Sequence, residues 1–214
     1  MSFGMKYILS IFVIILLCFS VIGIGGCIIT EKEFKSISFY KSDEFSKTNV
    51  QRVLMVPFTF KTQRGKIVEE VTEAFFLELQ KSAKFDIVVS YEFQDVLLQQ
   101  KDLWIKGLIR AETIIEAKKK FNVDAIIFGT ITHYKPYEPP ILGVKIGMFS
   151  AVSGNVIWSS DTVFDSSEAS VIQLVKNYYK ENIKKKQSLY DWNIVLLSMK
   201  RYSQFAAYHI IATL

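Results

Sequence analysis

The sequence predicts an α/β fold: a single three-layer-like domain whose mixed sheet starts with parallel βαβ units and continues into an antiparallel hairpin and C-terminal helices. Three observations carry this. Short continuous apolar runs at residues 53–58 and 125–131, bounded by turn residues, have the character of strands buried on both faces. Residues 66–82 and 111–121 carry apolar side chains at the 3.6-residue period of helices that cover a sheet. After residue 140 two strand-like segments flank Ser153-Gly154-Asn155, a sequence suited to a hairpin turn.

Taken in order, Val53-Leu54-Met55-Val56-Pro57-Phe58 is the first strand, stopped by a proline that cannot donate to a ladder. Val68, Val71, Phe75, Phe76 and Leu79 recur at helical spacing, so a helix is expected over 66–82. Residues 85–89 form the second strand, and Ser90 is placed to cap a helix reaching residue 100. After a break at Gly107, a helix over 111–121 turns Ile114, Ile115 and Ala117 inward, and residues 125–131 make the third strand. An alternating strand and helix order implies parallel pairing with helical crossovers. The hairpin strands are expected at 144–150 and 156–164. A helix over 167–186 and an amphipathic helix over 198–213 complete the domain, the latter with Tyr202, Phe205, Ala206, His209 and Ile210 on one face. No internal repeat or second core is visible, and 214 residues suit one domain.

The N-terminus reads as a processing signal rather than as part of this fold. Lys6 is followed by an uncharged segment from Tyr7 to Ile24, strongly apolar from Ile8 to Leu17, and then by Gly23, Gly25 and Gly26 directly before Cys27. The apolar run partitions into a bilayer as a helix, and the glycines break that helix into a slender backbone that a protease can grip. Ile24-Gly25-Gly26-Cys27 resembles the bacterial lipobox. That resemblance implies diacylglycerol on the Cys27 sulfur, cleavage before it, and in many bacteria a third acyl chain on the freed amine. Several acyl chains make a stable anchor where one is marginal. An uncleaved helix would be at the lower length limit for spanning a bilayer, and a plain secretory signal has no need of a cysteine here. The expected organisation is a signal peptide at 1–26, a lipidated N-terminus and tether at 27–50, and a periplasmic domain at 51–214. Ile28 after the cysteine favours the outer membrane, by resemblance to enterobacterial sorting.

Composition narrows the chemistry. The net charge is +5, and losing Lys6 with the leader leaves about +4, too little and too scattered for a nucleic-acid footprint. Lys184-Lys185-Lys186 is expected to be a solvated helix end with a weak attraction to anionic lipid or glycan. Of the two cysteines, Cys18 lies in the apolar segment, so the processed chain keeps Cys27 alone, without an intramolecular disulfide. His133 and His209 are the sole histidines, and nothing has metal-ligand spacing. No phosphate loop or nucleophile elbow is present. Asp161 and Asp165 fall on one face of a strand. Asp161 is placed to meet a basic neighbour, and Asp165-Ser166-Ser167 to lead into a helix. His133 is expected at the surface and His209 as a hydrogen-bonded core residue. The expectation is therefore a protein that is not an enzyme and has no cofactor, no metal and no nucleic-acid partner.

The most distinctive stretch is His133-Tyr134-Lys135-Pro136-Tyr137-Glu138-Pro139-Pro140. Three prolines hold it extended, and tyrosines offer rigid amphipathic contact area. Tyr134, Pro136, Tyr137, Pro139 and Pro140 are thus a candidate partner-binding loop. The other reading is a stiff linker whose tyrosines fold back on the domain.

Val123-Asp124-Ala125-Ile126-Ile127-Phe128-Gly129-Thr130-Ile131-Thr132, then Leu142-Gly143-Val144 and Ser153-Gly154-Asn155-Val156-Ile157-Trp158, resemble the curli-transport (CsgG-like) group of envelope lipoproteins. Relatives of that group include activators of penicillin-binding proteins and the N-terminal domain of the TolB type. The likeness spans roughly residues 50–190 and is carried by strand and turn patterns, which speak to fold more than to function. It implies a periplasmic α/β domain that binds another envelope protein or copies of itself. It also raises the alternative of a secretion-channel subunit, which needs long alternating hairpins that this sequence has no room for.

Overall fold

The computed structural model describes residues 37–60, 65–99, 109–183 and 190–214. The expected leader, Cys27, Gly107 and Lys184-Lys185-Lys186 lie outside them. The elements in chain order are β1 (Phe39–Lys41), α1 (Asp43–Lys47), β2 (Arg52–Met55), α2 (Lys66–Ser82), β3 (Asp86–Val89), α3 (Glu92–Gln99), α4 (Ala111–Phe121), β4 (Ala125–Lys135), β5 (Ile141–Ser150), β6 (Val156–Asp165), α5 (Ala169–Asn182), a 3-10 turn (Asp191–Val195) and α6 (Met199–Ile211).

The strands form one mixed sheet in the order β1-β6-β5-β4-β2-β3. β2 lies parallel to β3 and β4, while β4-β5-β6-β1 run antiparallel. Alternation along each strand divides the apolar side chains between two layers. Val53, Met55, Ile127, Val144, Met148, Trp158 and Phe164 join the helical side chains Phe75, Val175, Tyr202 and Phe205 in the larger cluster. Leu54, Val56, Ile126, Phe128 and Phe149 meet Phe93, Ile114 and Ala117 on the other face. The α/β domain with parallel units, an antiparallel hairpin and C-terminal helices is thus present, with both sheet faces packed.

Three expectations need correction. Residues 39–47, assigned to the tether, belong to the fold: β1 pairs with β6 from Phe39↔Ser160 to Lys41↔Trp158. Ser42 Oγ accepts from the Phe45 amide at 3.3 Å to cap α1, and Val50 joins the core. β1 covers part of an edge that β6 would otherwise leave open. Secondly, Ile115 is 53% exposed, because Thr113, Ile114 and Ala117 already form the buried face of α4. Thirdly, α5 starts at Ala169, not at 167, because Asp165 accepts from Ser167 N at 2.8 Å and Oγ at 2.7 Å and holds a turn there.

Candidate partner-binding site

The proline-rich segment closes the β4–β5 hairpin. The two strands pair from Ala125↔Ser150 to Lys135↔Ile141, with a bulge between Ile131 and His133. The bulge sets Thr132 and His133 against Gly143, where an added Cβ would fall 2.9 Å from His133 Nδ1. Bulges bend and twist a strand, which re-aims the end of this hairpin.

The five candidate residues divide by role. Pro140 is buried, and its carbonyl accepts from the Ser166 amide at 3.1 Å, tying the loop to the turn after β6. Tyr134 folds back on the domain, its ring centroid 6.0 Å from that of Phe60. Burial, with Glu70 adding to it, pushes the Tyr134 hydroxyl pKa above its ordinary value. Pro136 and Pro139 are exposed, the Glu138–Pro139 peptide is cis, and Tyr137 stands 79% exposed at the tip. The sequence admits two readings of the tyrosines, and the structure contains one of each.

The residues weighed for catalysis are not brought together. Asp161 sits opposite Lys145 in the β5–β6 register, and Asp165 is committed to the Ser167 turn. Four residues along a strand separate the two carboxylates by about 13 Å, beyond the spacing of an acid–base pair across a glycosidic bond. His133 is exposed, with Thr132 Oγ1 3.3 Å from its Nδ1. His209 is half-buried against Phe164, Phe205 and Tyr208, and its Nε2 has no partner. A groove of about 360 Å³ lies where the C-terminal ends of α2, α5 and α6 meet, lined by Glu78, Lys81, Ser82, Lys84, Asn182 and Tyr208. Its acids are engaged: Glu78 with Lys81, and the nearby Glu181 with the Tyr208 hydroxyl at 2.9 Å. Among the described residues no three His, Cys, Asp or Glu side chains converge on a metal position, and no helix is long and apolar enough to cross a membrane.

Sequence reasoning missed Phe39 and Tyr40, which stand 52% and 54% exposed on the edge strand. The available signal was local: two aromatics followed by Ser42-Asp43-Glu44, a cap with acids in the first turn.

No family model and no curated protein matches the chain. Solved structures similar to it include a hypothetical protein from Chlamydia trachomatis, with 15% identity over 76% of this chain and 95% of that one at a TM-score of 0.46. The lipoprotein GNA1162 from Neisseria meningitidis is 13% identical over 64% of this chain and 99% of its own, TM-score 0.40. The LpoB C-terminal domain from Salmonella enterica is 18% identical over 56% and 92%, TM-score 0.38. At TM-scores below 0.5 these likenesses bear on neither the chemistry nor the partner of this chain.

Proposed function

We propose that this chain is a bacterial envelope lipoprotein, held by lipid on Cys27 to the outer membrane and facing the periplasm. Its α/β domain is a non-enzymatic module that binds another envelope protein or assembles with its own copies. The observation that carries the binding role is the loop tip: Tyr137 is 79% exposed on a segment held by Pro136 and Pro139 and fastened at Pro140. A rigid aromatic loses little conformational entropy on binding, which is what a recognition anchor requires. The loop and the turn at residues 151–155 are short, which weighs against the long hairpins of a secretion channel.

Two measurements test this reading. A photocrosslinker at Tyr137 in living cells is expected to capture one envelope protein or a second copy of the chain, and recovery of neither removes the binding role. Palmitate labelling is expected to disappear in Cys27→Ala, with the protein lost from the membrane fraction. Unchanged labelling would refute the anchor.

A further inference from the structure

The two edges of the sheet are finished differently. At one stands β3, whose first residue Asp86 pairs with Arg52 at 3.3 Å and whose Ile87, Val88 and Val89 are partly covered. At the other stands β1, in which Phe39, Tyr40 and Lys41 are all exposed. Sheet edges are commonly protected by a charge or a proline, because an open row of amides and carbonyls recruits further strands. β1 has no proline, and its one charge is engaged within the fold. Lys41 Nζ donates to the Leu214 carbonyl and lies 4.4 Å from the centroid of Phe45. What the edge shows is two half-exposed aromatics, Phe39 and Tyr40. The pairing with β6 also fixes which main-chain groups point outward. Ser42 N donates to Ile157 O at 3.0 Å, so in this antiparallel register Ser42 and Tyr40 turn towards β6, while Phe39 and Lys41 turn their amides and carbonyls away from it. Among the described residues no main-chain partner meets those outward groups.

We propose that β1 pairs with β1 of a second copy, antiparallel and about a two-fold axis through Tyr40. In that register the amide and carbonyl of Phe39 meet the carbonyl and amide of the partner's Lys41, and the reverse, which makes four main-chain hydrogen bonds. Tyr40 faces the partner's Tyr40 across the close, non-hydrogen-bonded position, where aromatic pairs stabilise a sheet. Phe39 lies against the stem of the partner's Lys41, whose charged head is already held at Phe45. Two considerations favour a second copy over any other strand. Pairing β1 with β1 occupies this edge on both chains in a closed dimer, whereas β1 on β3 leaves one of each free and propagates. Four bonds on a three-residue strand also make a weak contact, sufficient only where the partner is held close. The chain between Cys27 and β1 spans at most about 40 Å, so copies anchored in one membrane present this strand within the same thin layer. The dimer rests on the anchored reading and gives the proposed self-assembly its surface.

The full chain is tested in intact cells by mild oxidation. Across the proposed axis the two Tyr40 Cα atoms are about 4.5 Å apart, within the range a disulfide spans. Tyr40→Cys is therefore expected to give a disulfide-linked dimer. Wild type, which has the same Cys18 and Cys27, should not, and neither should Tyr91→Cys, at an exposed position just beyond β3. Phe39→Pro removes one outward amide from each copy and leaves the bonds to β6 in place, a position where an edge strand accepts proline. Added to Tyr40→Cys, it should cut the cross-link at least about tenfold. Phe39→Lys, which sets like charges across the pair, should also cut it, so the test does not depend on the proline variant folding. Absence of the Tyr40→Cys dimer, equal cross-linking in Tyr91→Cys, or a cross-link unaffected by both Phe39 variants overturns the proposal. A chain that takes palmitate on Cys27 but fails to cross-link keeps its anchor and loses this dimer.

Discussion

Replacing Gly129 by alanine is expected to cost about 3 kcal/mol of folding stability, the upper end for overpacking a core. Gly129 lies in the middle of β4, and a Cβ built there would fall 2.7 and 2.8 Å from two carbons of the Phe58 ring, with a third closer still. The ring has nowhere to go. Phe58 is fully buried, and its centroid is 4.7 Å from that of Phe75. Its backbone is pinned at both ends, the amide to Thr72 Oγ1 at 3.0 Å and the carbonyl to Gln94 Nε2 at 2.8 Å. The backbone of Gly129 is equally fixed, since its carbonyl accepts from the Thr59 amide at 2.9 Å.

The clash can be isolated by a double-mutant cycle read in urea melts. Phe58→Leu alone should destabilise by removing buried ring surface. Combined with Gly129→Ala, it should recover part of the alanine penalty, a favourable coupling of about 1 kcal/mol or more between two residues in contact. Additive losses would mean that the ring yields and that the glycine has another cause.

Gly129 also illustrates what could be read from the chain. Its place in the Asp124-Ala125-Ile126-Ile127-Phe128-Gly129 pattern is visible in the sequence, but the reason for it lies 71 residues upstream in Phe58. The hairpin glycine is different: Gly154 adopts φ +77°, a local demand of the turn, and the turn was legible. Helices α2 and α4 were legible because burial against the sheet imposes a period on them. β1 was not, since three residues carry no period and its support is pairing with β6. At the candidate loop the prolines announced an extended segment. Which tyrosine folds back was decided by Phe60, on a different part of the chain, and local sequence is silent on that.

Acid is expected to destabilise the domain through His209. Burial is the main cause that lowers its pKa from 6.5 to about 4, opposed by a bond to the Leu174 backbone and by the charge of Glu181. Phe164, Phe205 and Tyr208 surround the ring, at centroid distances of 6.4, 5.0 and 5.2 Å, and Nε2 has no partner to receive a second proton's charge. The folded state therefore holds the neutral imidazole, while the unfolded chain takes up a proton near its ordinary pKa. Well above pH 6.5 the group is neutral in both states and contributes no pH dependence. As the pH falls from 6.5 towards about 4, the unfolded state alone binds the proton and stability drops. The accumulated loss is about 3 kcal/mol, since each pH unit between the two pKa values contributes about 1.4 kcal/mol. His209→Gln keeps a polar side chain of similar reach but cannot titrate. The difference in unfolding free energy between wild type and variant should change by that amount across the window, whatever the carboxylates contribute to both. A difference that stays constant with pH would mean that His209 is protonated in the folded state, with water reaching Nε2.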